Sequence, residues 1–174
     1  MQEVPVNQYA LTENGKFPNN PQLPLLVYPQ IFTDQNDYKE VFSSAFKENK
    51  WGGSWVNGIY DYHHYHSTSH EVLAVIKGHA TLIFGGPDGE VIDVKAGDMV
   101  VIPAGVAHCC RQASEDFKVL GAYPQGQEEY DICTEKDDPE KKKSNIPKVS
   151  LPEADPVEGV NGPLMEYWIK VKES

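Results

Sequence analysis

The chain has 174 residues, a hydrophobic content of 40% and a formal net charge of -11, which fits one globular domain with a substantial core. Nucleic-acid phosphates are bound through clustered basic residues, so the acidic balance and the small number of Lys and Arg, 15, argue against a nucleic-acid partner. No apolar run approaches the ~18 residues that a membrane span needs, and we expect no membrane interaction.

The expected compartment is the cytoplasm. The first residues lack the basic start and the apolar segment of a signal peptide. The three cysteines, Cys109, Cys110 and Cys133, are too few and too unevenly placed for a disulfide framework, which agrees with a reducing environment.

Two elements are predicted before residue 51. Residues 1–30 are rich in Pro and Asn and finish in an apolar run at residues 23–28, which predicts an arm that ends in an edge strand. Residues 37–49 carry apolar side chains at helical spacing and predict an amphipathic helix. Asp37 followed by Glu40 is typical of a capping box at the start of such a helix.

From residue 51 to about residue 123, short apolar segments alternate with turns such as Gly85-Gly86-Pro87-Asp88-Gly89 and Ala96-Gly97. This spacing predicts an antiparallel sandwich or barrel. After residue 123 the chain becomes charged and Pro-rich, and DDPEKKK at residues 137–143 predicts a mobile, solvated loop. The ending PLMEYWIKV restores apolar residues, so we expect the tail to return and cover the barrel or a partner.

Four residues of the barrel segment suggest a metal site. His64 and His66 are spaced so that both imidazoles point to one face of a strand, and Glu71 is expected to enter from the next strand. His108 follows a turn at Pro103 and Gly105 that reverses the chain. Three imidazoles and one carboxylate suit one divalent transition metal per chain, Fe, Zn, Mn or Ni. Such a site keeps about one net positive charge and favours an anionic substrate.

The neighbouring side chains are less informative. His63 has the opposite strand parity to His64 and is expected to face away. His70 directly precedes Glu71; it is a candidate acid or base, or a packing residue on the other face. Tyr60 and Tyr62 share the parity of His64, so either phenol is a candidate hydrogen-bond donor to a substrate, with Tyr62 taken as a catalytic candidate, although structural packing is the alternative.

The motif spacing resembles that of the cupin superfamily, the RmlC-like jelly rolls. Its first motif, G-x5-H-x-H-x4-E-x6-G, is matched at every fixed position, from Gly58 to Gly78. Its second, G-x5-P-x-G-x2-H-x3-N, is matched from Gly97 to His108, and Gln112 replaces the final Asn. The segments FPNNPQLPLLVY and LPEADPVEGVNGPLMEYW look like those of the YjlB-like subfamily.

This resemblance implies an all-β, single-domain cupin double-stranded β-helix, a jelly-roll barrel that is expected to form a homodimer. Its core is expected at about residues 51–123, with an N-terminal arm and one short helix in residues 1–50 and a C-terminal extension in residues 124–174. The resemblance implies the metal ligands His64, His66, Glu71 and His108, but it implies no substrate.

Three functions remain open at this point. The first is a metal-dependent dioxygenase, and the second is a metal-assisted isomerase, lyase or decarboxylase in which Tyr62 or His70 moves the proton. The third is a non-catalytic module that binds or senses a small ligand. We favour an enzyme, because burying three imidazoles and a carboxylate is costly unless a metal occupies them.

Overall fold

The computed structural model describes residues 5–170, so the ends of the predicted arm and tail, residues 1–4 and 171–174, lie outside the described residues. Nine strands are present in the described part: β1 (Asn7–Leu11), β2 (Asn20–Tyr28), β3 (Trp51–Asn57), β4 (Glu71–Lys77), β5 (His79–Phe84), β6 (Glu90–Lys95), β7 (Met99–Ile102), β8 (His108–Ala113) and β9 (Lys118–Pro124). They form two antiparallel sheets, in the orders β1-β2-β7-β4-β9-β3 and β6-β5-β8. The all-β jelly-roll prediction is confirmed.

Strand β4 lies at the centre of the larger sheet and is buried on both faces except at Lys77. Leu73 and Val75 point into the core between the two sheets. Val72, Ala74 and Ile76 point to the opposite side, into a second apolar cluster. A strand covered on both faces has a continuous apolar sequence instead of an alternating one. This covering fixes the position of Glu71 at the start of β4.

The N-terminal segment is part of the barrel. The prediction that residues 23–28 form an edge strand is wrong, because they belong to β2, which lies inside the sheet. Strand β2 pairs with both β1 and β7, and β1 is the edge. Proline is tolerated within β2 because Pro21 and Pro24 lie in the stretch where the β1 pairing shifts register, between the pairs Leu11–Asn20 and Tyr9–Leu25.

The predicted helix is confirmed as α1 (Tyr38–Glu48). Asp37 caps it by accepting a hydrogen bond from the backbone N–H of Glu40 at 3.1 Å, which is one half of the predicted capping box. Phe42 and Phe46 are buried and belong to the second apolar cluster, so α1 covers the outer face of the six-stranded sheet.

The expectation of one short helix is corrected by the C-terminal extension, which contains further helical turns. The charged run predicted as a mobile loop instead forms α2 (Pro139–Lys143), and a 3-10 turn (Ile146–Lys148) and a π-helix (Met165–Lys170) follow it. Asp138 caps α2, and Lys142 and Lys143 form ion pairs with Asp131 and Glu13. Short-range capping and these tertiary ion pairs order a sequence whose composition alone favours a loop.

The end of the extension packs against the barrel. The apolar tail predicted this return, which holds for the part of the tail within residues 5–170. Leu164 and Trp168 are fully buried in the second apolar cluster, and the Trp168 Nε1–H donates to the Pro24 carbonyl at 2.8 Å. Asp155 is fully buried and accepts hydrogen bonds from the Tyr28 hydroxyl at 2.5 Å and from the Leu164 amide at 3.1 Å. None of the helices in residues 5–170 is long and apolar enough to cross a membrane.

Candidate metal centre

Two backbone bridges position the first two histidines. The amides of His64 and His108 each donate to the other residue's carbonyl, at 3.2 and 2.9 Å. Tyr65 pairs in the same way with Cys133 of the C-terminal extension. Because neighbouring residues of an extended segment alternate in direction, His64 and His66 point to one side while Tyr65 packs against Phe17 on the other. The strand-parity prediction holds, although this segment is outside the nine strands.

The four predicted ligands meet in space. One ring nitrogen from each of His64, His66 and His108 lies within 4.8 Å of the others, and all three rings are buried. Glu71 joins them, since its Oε1 is 3.2 Å from His108 Nε2 and 3.4 Å from His66 Nε2. Two ligands held about 2.1 Å from one ion, at angles between square and tetrahedral, lie about 3.0–3.4 Å apart. The two separations from Glu71 Oε1 therefore match ligands of a common ion.

The hydrogen-bond partners of the rings leave the inward nitrogens as acceptors. Each Nδ1 faces a backbone carbonyl oxygen: His64 that of Tyr62 at 3.2 Å, His66 that of Asp131 at 2.6 Å, and His108 that of Val106 at 3.1 Å. A carbonyl only accepts, so we assign the hydrogen of each neutral ring to Nδ1 and a lone pair to Nε2. Within residues 5–170, the buried Glu71 Oε1 has no well-aligned hydrogen bond. A divalent cation fits this set of acceptors.

Burial and mutual contact set the charges of the cluster. Burial lowers the pKa of His64 to about 3, and the neighbouring His108 adds to that shift. Burial alone would lower the pKa of His66, but the Glu71 carboxylate raises it. Burial would likewise raise the pKa of Glu71, but His66 and His108 lower it. Glu71 is thus a carboxylate, and a bound metal would replace any proton that His66 shares with it.

A hydroxyl that the sequence reasoning missed holds the second oxygen of Glu71. The Tyr123 hydroxyl donates to Glu71 Oε2 at 2.9 Å and accepts from the Trp55 Nε1–H at 2.7 Å. Burial raises the pKa of Tyr123, and the Glu71 carboxylate raises it further, so the phenol stays a donor. The bond directs Oε1 toward the histidines. Only the pairing of β4 with β9 brings Tyr123 to Glu71, and no local motif marks it.

Removing this hydroxyl tests its role. We expect Tyr123→Phe to weaken metal binding by about 10–100-fold, as is usual for a residue that orients a ligand. It should also lower the free energy of unfolding by about 1–3 kcal/mol, because Glu71 Oε2 and the Trp55 N–H lose their partner. Competition with a coloured chelator measures the first effect and urea unfolding the second. Tyr38→Phe on α1 is the control, and equal affinity losses in both variants would contradict the assigned role.

The C-terminal extension completes the surroundings of His66. The Asp131 carbonyl accepts from its Nδ1, and the Asp131 carboxylate accepts hydrogen bonds from the amide and hydroxyl of Ser67, at 2.7 and 2.5 Å. Lys142 of α2 lies 3.4 Å from the same carboxylate. Although partial burial acts in the opposite direction, the hydrogen bonds from Ser67 and Cys133 and the charge of Lys142 lower the pKa of Asp131 to about 2.

This shift predicts a pH dependence of stability. The unfolded pKa of an Asp is about 3.9, above the folded value of about 2 for Asp131, so the ionised carboxylate stabilises the fold above pH ~4 and less as pH falls toward 2. Asp131→Asn should lack this contribution. Urea unfolding of metal-free protein at several pH values should therefore show the largest difference between wild type and variant above pH ~4. If the difference in stability between wild type and Asp131→Asn did not change with pH, the stabilising role of the ionised Asp131 carboxylate would be contradicted.

A cavity of about 240 Å³ opens from the four ligands to the surface. Its walls come from β3, β4, β8 and β9, from residues 58–66 and from the extension. The lining residues are Trp55, Val56, Asn57, Gly58, Ile59, Tyr60, His64, His66, Glu71, Leu73, His108, Tyr123, Tyr130 and Ile132. Tyr130 was not among the residues predicted from the sequence to lie at the site. Its ring stacks on Tyr123 and lies edge-on to His66.

The predicted catalytic residues are not on these walls. Tyr60 lines the cavity, whereas Tyr62 is 44% exposed and stacks behind Tyr60. His70 is fully buried on the other side of the sheet; its Nδ1 accepts from the Ala104 amide at 2.8 Å, and its ring packs on Trp168. This placement corrects the expectation that Tyr62 lines the barrel interior and gives no support to a catalytic role for Tyr62 or His70. His63 faces Phe17, away from the ligands, as its parity predicted.

Comparisons with known proteins agree with this architecture. The cupin domain model matches residues 55–123. The uncharacterised protein YjlB of Bacillus subtilis (strain 168) is 40% identical over 163 residues, which cover 93% of this chain and 96% of that protein.

Solved structures are similar at a lower level. Acireductone dioxygenase from Bacillus anthracis, with a cadmium ion in its active centre, is 18% identical with a TM-score of 0.35, and the match covers 53% of this chain and 64% of that one. The DMSP lyase DddQ from Ruegeria pomeroyi DSS-3 is 19% identical with a TM-score of 0.37, and the match covers 74% of this chain and 51% of that one. The matched regions span less than two thirds of either structure.

Proposed function

This chain belongs to the cupin family, and from that premise we propose that it is a metal-dependent enzyme that acts on a small metabolite. We propose His64, His66, Glu71 and His108 as the ligands of one divalent transition metal per chain. The observation that carries the proposal is the inward set of four acceptors, with each Nδ1 hydrogen turned outward to a carbonyl. When bound, the ion would act as a Lewis acid toward a substrate oxygen or, if redox-active, in electron transfer.

The chain itself orients the four proposed ligands. The Nδ1–carbonyl contacts fix the rotation of the three rings, and Tyr123 fixes Glu71. Among the cavity-lining residues within 5–170, the titratable groups other than the four ligands are Tyr60, Tyr123 and Tyr130. Proton abstraction needs a base within hydrogen-bond reach, and His70, one of the candidates for that role, lies outside the cavity. Dioxygenase-type oxidation is therefore favoured over isomerisation or decarboxylation.

The same observation supports a second candidate. A cavity whose own acid–base groups are phenols also suits a module that binds or senses a small ligand without turnover. Such a module would retain its ligand and form no product. Homodimerisation and a cytoplasmic location remain predictions, and a monomer mass from solution scattering at micromolar concentration would contradict the first.

Elemental analysis of untagged protein, purified without chelator, tests the proposal. We expect about one transition metal per chain, before or after reconstitution with Fe(II), Zn(II), Mn(II) or Ni(II). Iron would support oxidation with O₂, and Zn, Mn or Ni would support the non-redox alternative. Absence of metal after reconstitution would overturn the metal site and leave the ligand-binding module.

A further inference from the structure

The cavity has no cationic side chain on its walls. Among its lining residues within 5–170, none is Lys or Arg, although the chain contains 15 of these residues. The sides consist mainly of apolar and aromatic groups, including Trp55, Ile59 and Leu73. The neutral polar groups beside them include the Asn57 amide and the phenols of Tyr60, Tyr123 and Tyr130.

The mouth continues this apolar wall onto the surface. Val56, Tyr60 and Ile132 are 42%, 51% and 50% exposed, and all three line the cavity. They come from three separate parts of the chain: β3, the segment after it and the C-terminal extension. Exposed apolar residues that gather around a concave opening usually mark a binding site for an apolar group.

The distribution of charge discriminates between ligands. One anionic group at the floor would face the only cationic position among the described lining residues, the one that the four ligands provide when they hold a divalent ion. A second anionic group would lie against the apolar wall, where an ionised carboxylate without a partner is costly. The net charge of -11 adds to this repulsion.

The volume limits the size of the ligand. About 240 Å³ lies just below the roughly 300–1,000 Å³ that is typical of pockets for drug-sized ligands. A ligand smaller than drug size therefore fits this space, and a longer one would extend between Val56 and Ile132.

We infer that the substrate is a compact monoanion with an apolar or aromatic body, the anionic oxygen toward His64, His66 and His108 and the body against Trp55, Ile59 and Leu73. Dicarboxylates whose second carboxylate lies at the far end of the molecule are disfavoured by the same wall. The inference rests on the proposed metal site and narrows its substrate class.

Calorimetric titration of the Zn(II)-loaded protein tests this selectivity with three probes. Benzoate is a compact monoanion, terephthalate carries a second carboxylate at the far end, and monomethyl terephthalate has that length with one charge. We expect both monoanions to bind at least about tenfold more tightly than terephthalate, because only terephthalate places a charge on the wall. Equal or tighter binding of terephthalate, or no binding of any probe at millimolar concentration, would overturn the inference.

A charge added to the mouth provides a second measurement. Ile132→Lys alters a half-exposed side chain and should raise the affinity for terephthalate relative to benzoate by roughly fivefold, the upper range for an exposed ion pair. Val160→Lys, at a position 70% exposed and not on the cavity wall, should change neither affinity. An unchanged ratio in Ile132→Lys would count against the inference. Zinc content is measured for each protein, so loss of zinc binding in wild type would identify failure of the metal site instead.

Discussion

Replacing His108 by alanine is expected to abolish stoichiometric metal binding. His108 is 2% exposed, and its Nε2 lies 3.2 Å from Glu71 Oε1, at the centre of the four ligands. Loss of a group that only orients a ligand costs about 10–100-fold in affinity, so loss of the ligand itself should exceed 100-fold. Metal at about 100 times Kd should stabilise wild type by about 2.7 kcal/mol and the variant not at all. Metal content and thermal unfolding with and without metal measure both effects.

His63→Ala is the matched control for this experiment. His63 precedes the first predicted ligand directly, but its ring packs against Phe17 at 5.7 Å between centroids and does not line the cavity. The control should keep one metal per chain and the full stabilisation by metal. If His63→Ala and His108→Ala lost metal equally, the assignment of ligands by strand parity would be refuted.

Replacing Asp155 by alanine is expected to cause the largest loss of stability among these variants, about 3–5 kcal/mol, because two buried donors each lose their acceptor at a cost of about 1–3 kcal/mol. Asp155 is fully buried and accepts hydrogen bonds from the Tyr28 hydroxyl and from the amides of Leu164, Val157 and Glu158. Alanine leaves the buried Tyr28 hydroxyl and Leu164 amide without their acceptor and loosens the extension from β2. Urea unfolding measures the change in free energy.

Glu153→Ala is the control for Asp155. The Glu153 side chain is 76% exposed and pairs with Lys50 at 3.3 Å, and an exposed pair of this kind contributes about 0–1 kcal/mol. The variant should therefore unfold at nearly the wild-type urea concentration. A loss in Asp155→Ala no larger than in Glu153→Ala would show that the buried carboxylate does not hold the extension.

The ligands could be predicted from the sequence because their geometry is local. His64 and His66 differ by two positions, Glu71 opens a buried strand, and His108 follows a Pro–Gly turn, so fixed spacing carries the relevant directions. The parity of Tyr62 was less informative, because residues 58–63 precede the bridges in an irregular segment. Parity arguments hold only where the backbone is extended.

The residues that orient the ligands could not be found in this way. Tyr123 reaches Glu71 across a strand pair, and Asp131 reaches His66 from a part of the chain 65 residues away. Neither contact follows from composition or periodicity, since both depend on tertiary pairing. The same reason explains the wrong prediction for residues 137–143. Their charges suggest a loop, but Lys142 and Lys143 form ion pairs with Asp131 and Glu13, which are tertiary contacts.

Because the Asp131 carbonyl orients the His66 ring, the barrel strands alone do not contain the complete metal centre. The cupin domain match ends at residue 123, before the residue that fixes the His66 ring. A graft of residues 5–123 into another scaffold would carry all nine strands and all four ligands, yet His66 would be free to rotate or to change tautomer. We expect such a graft to bind metal weakly and with little discrimination between ions, until residues 130–133 are transplanted with it.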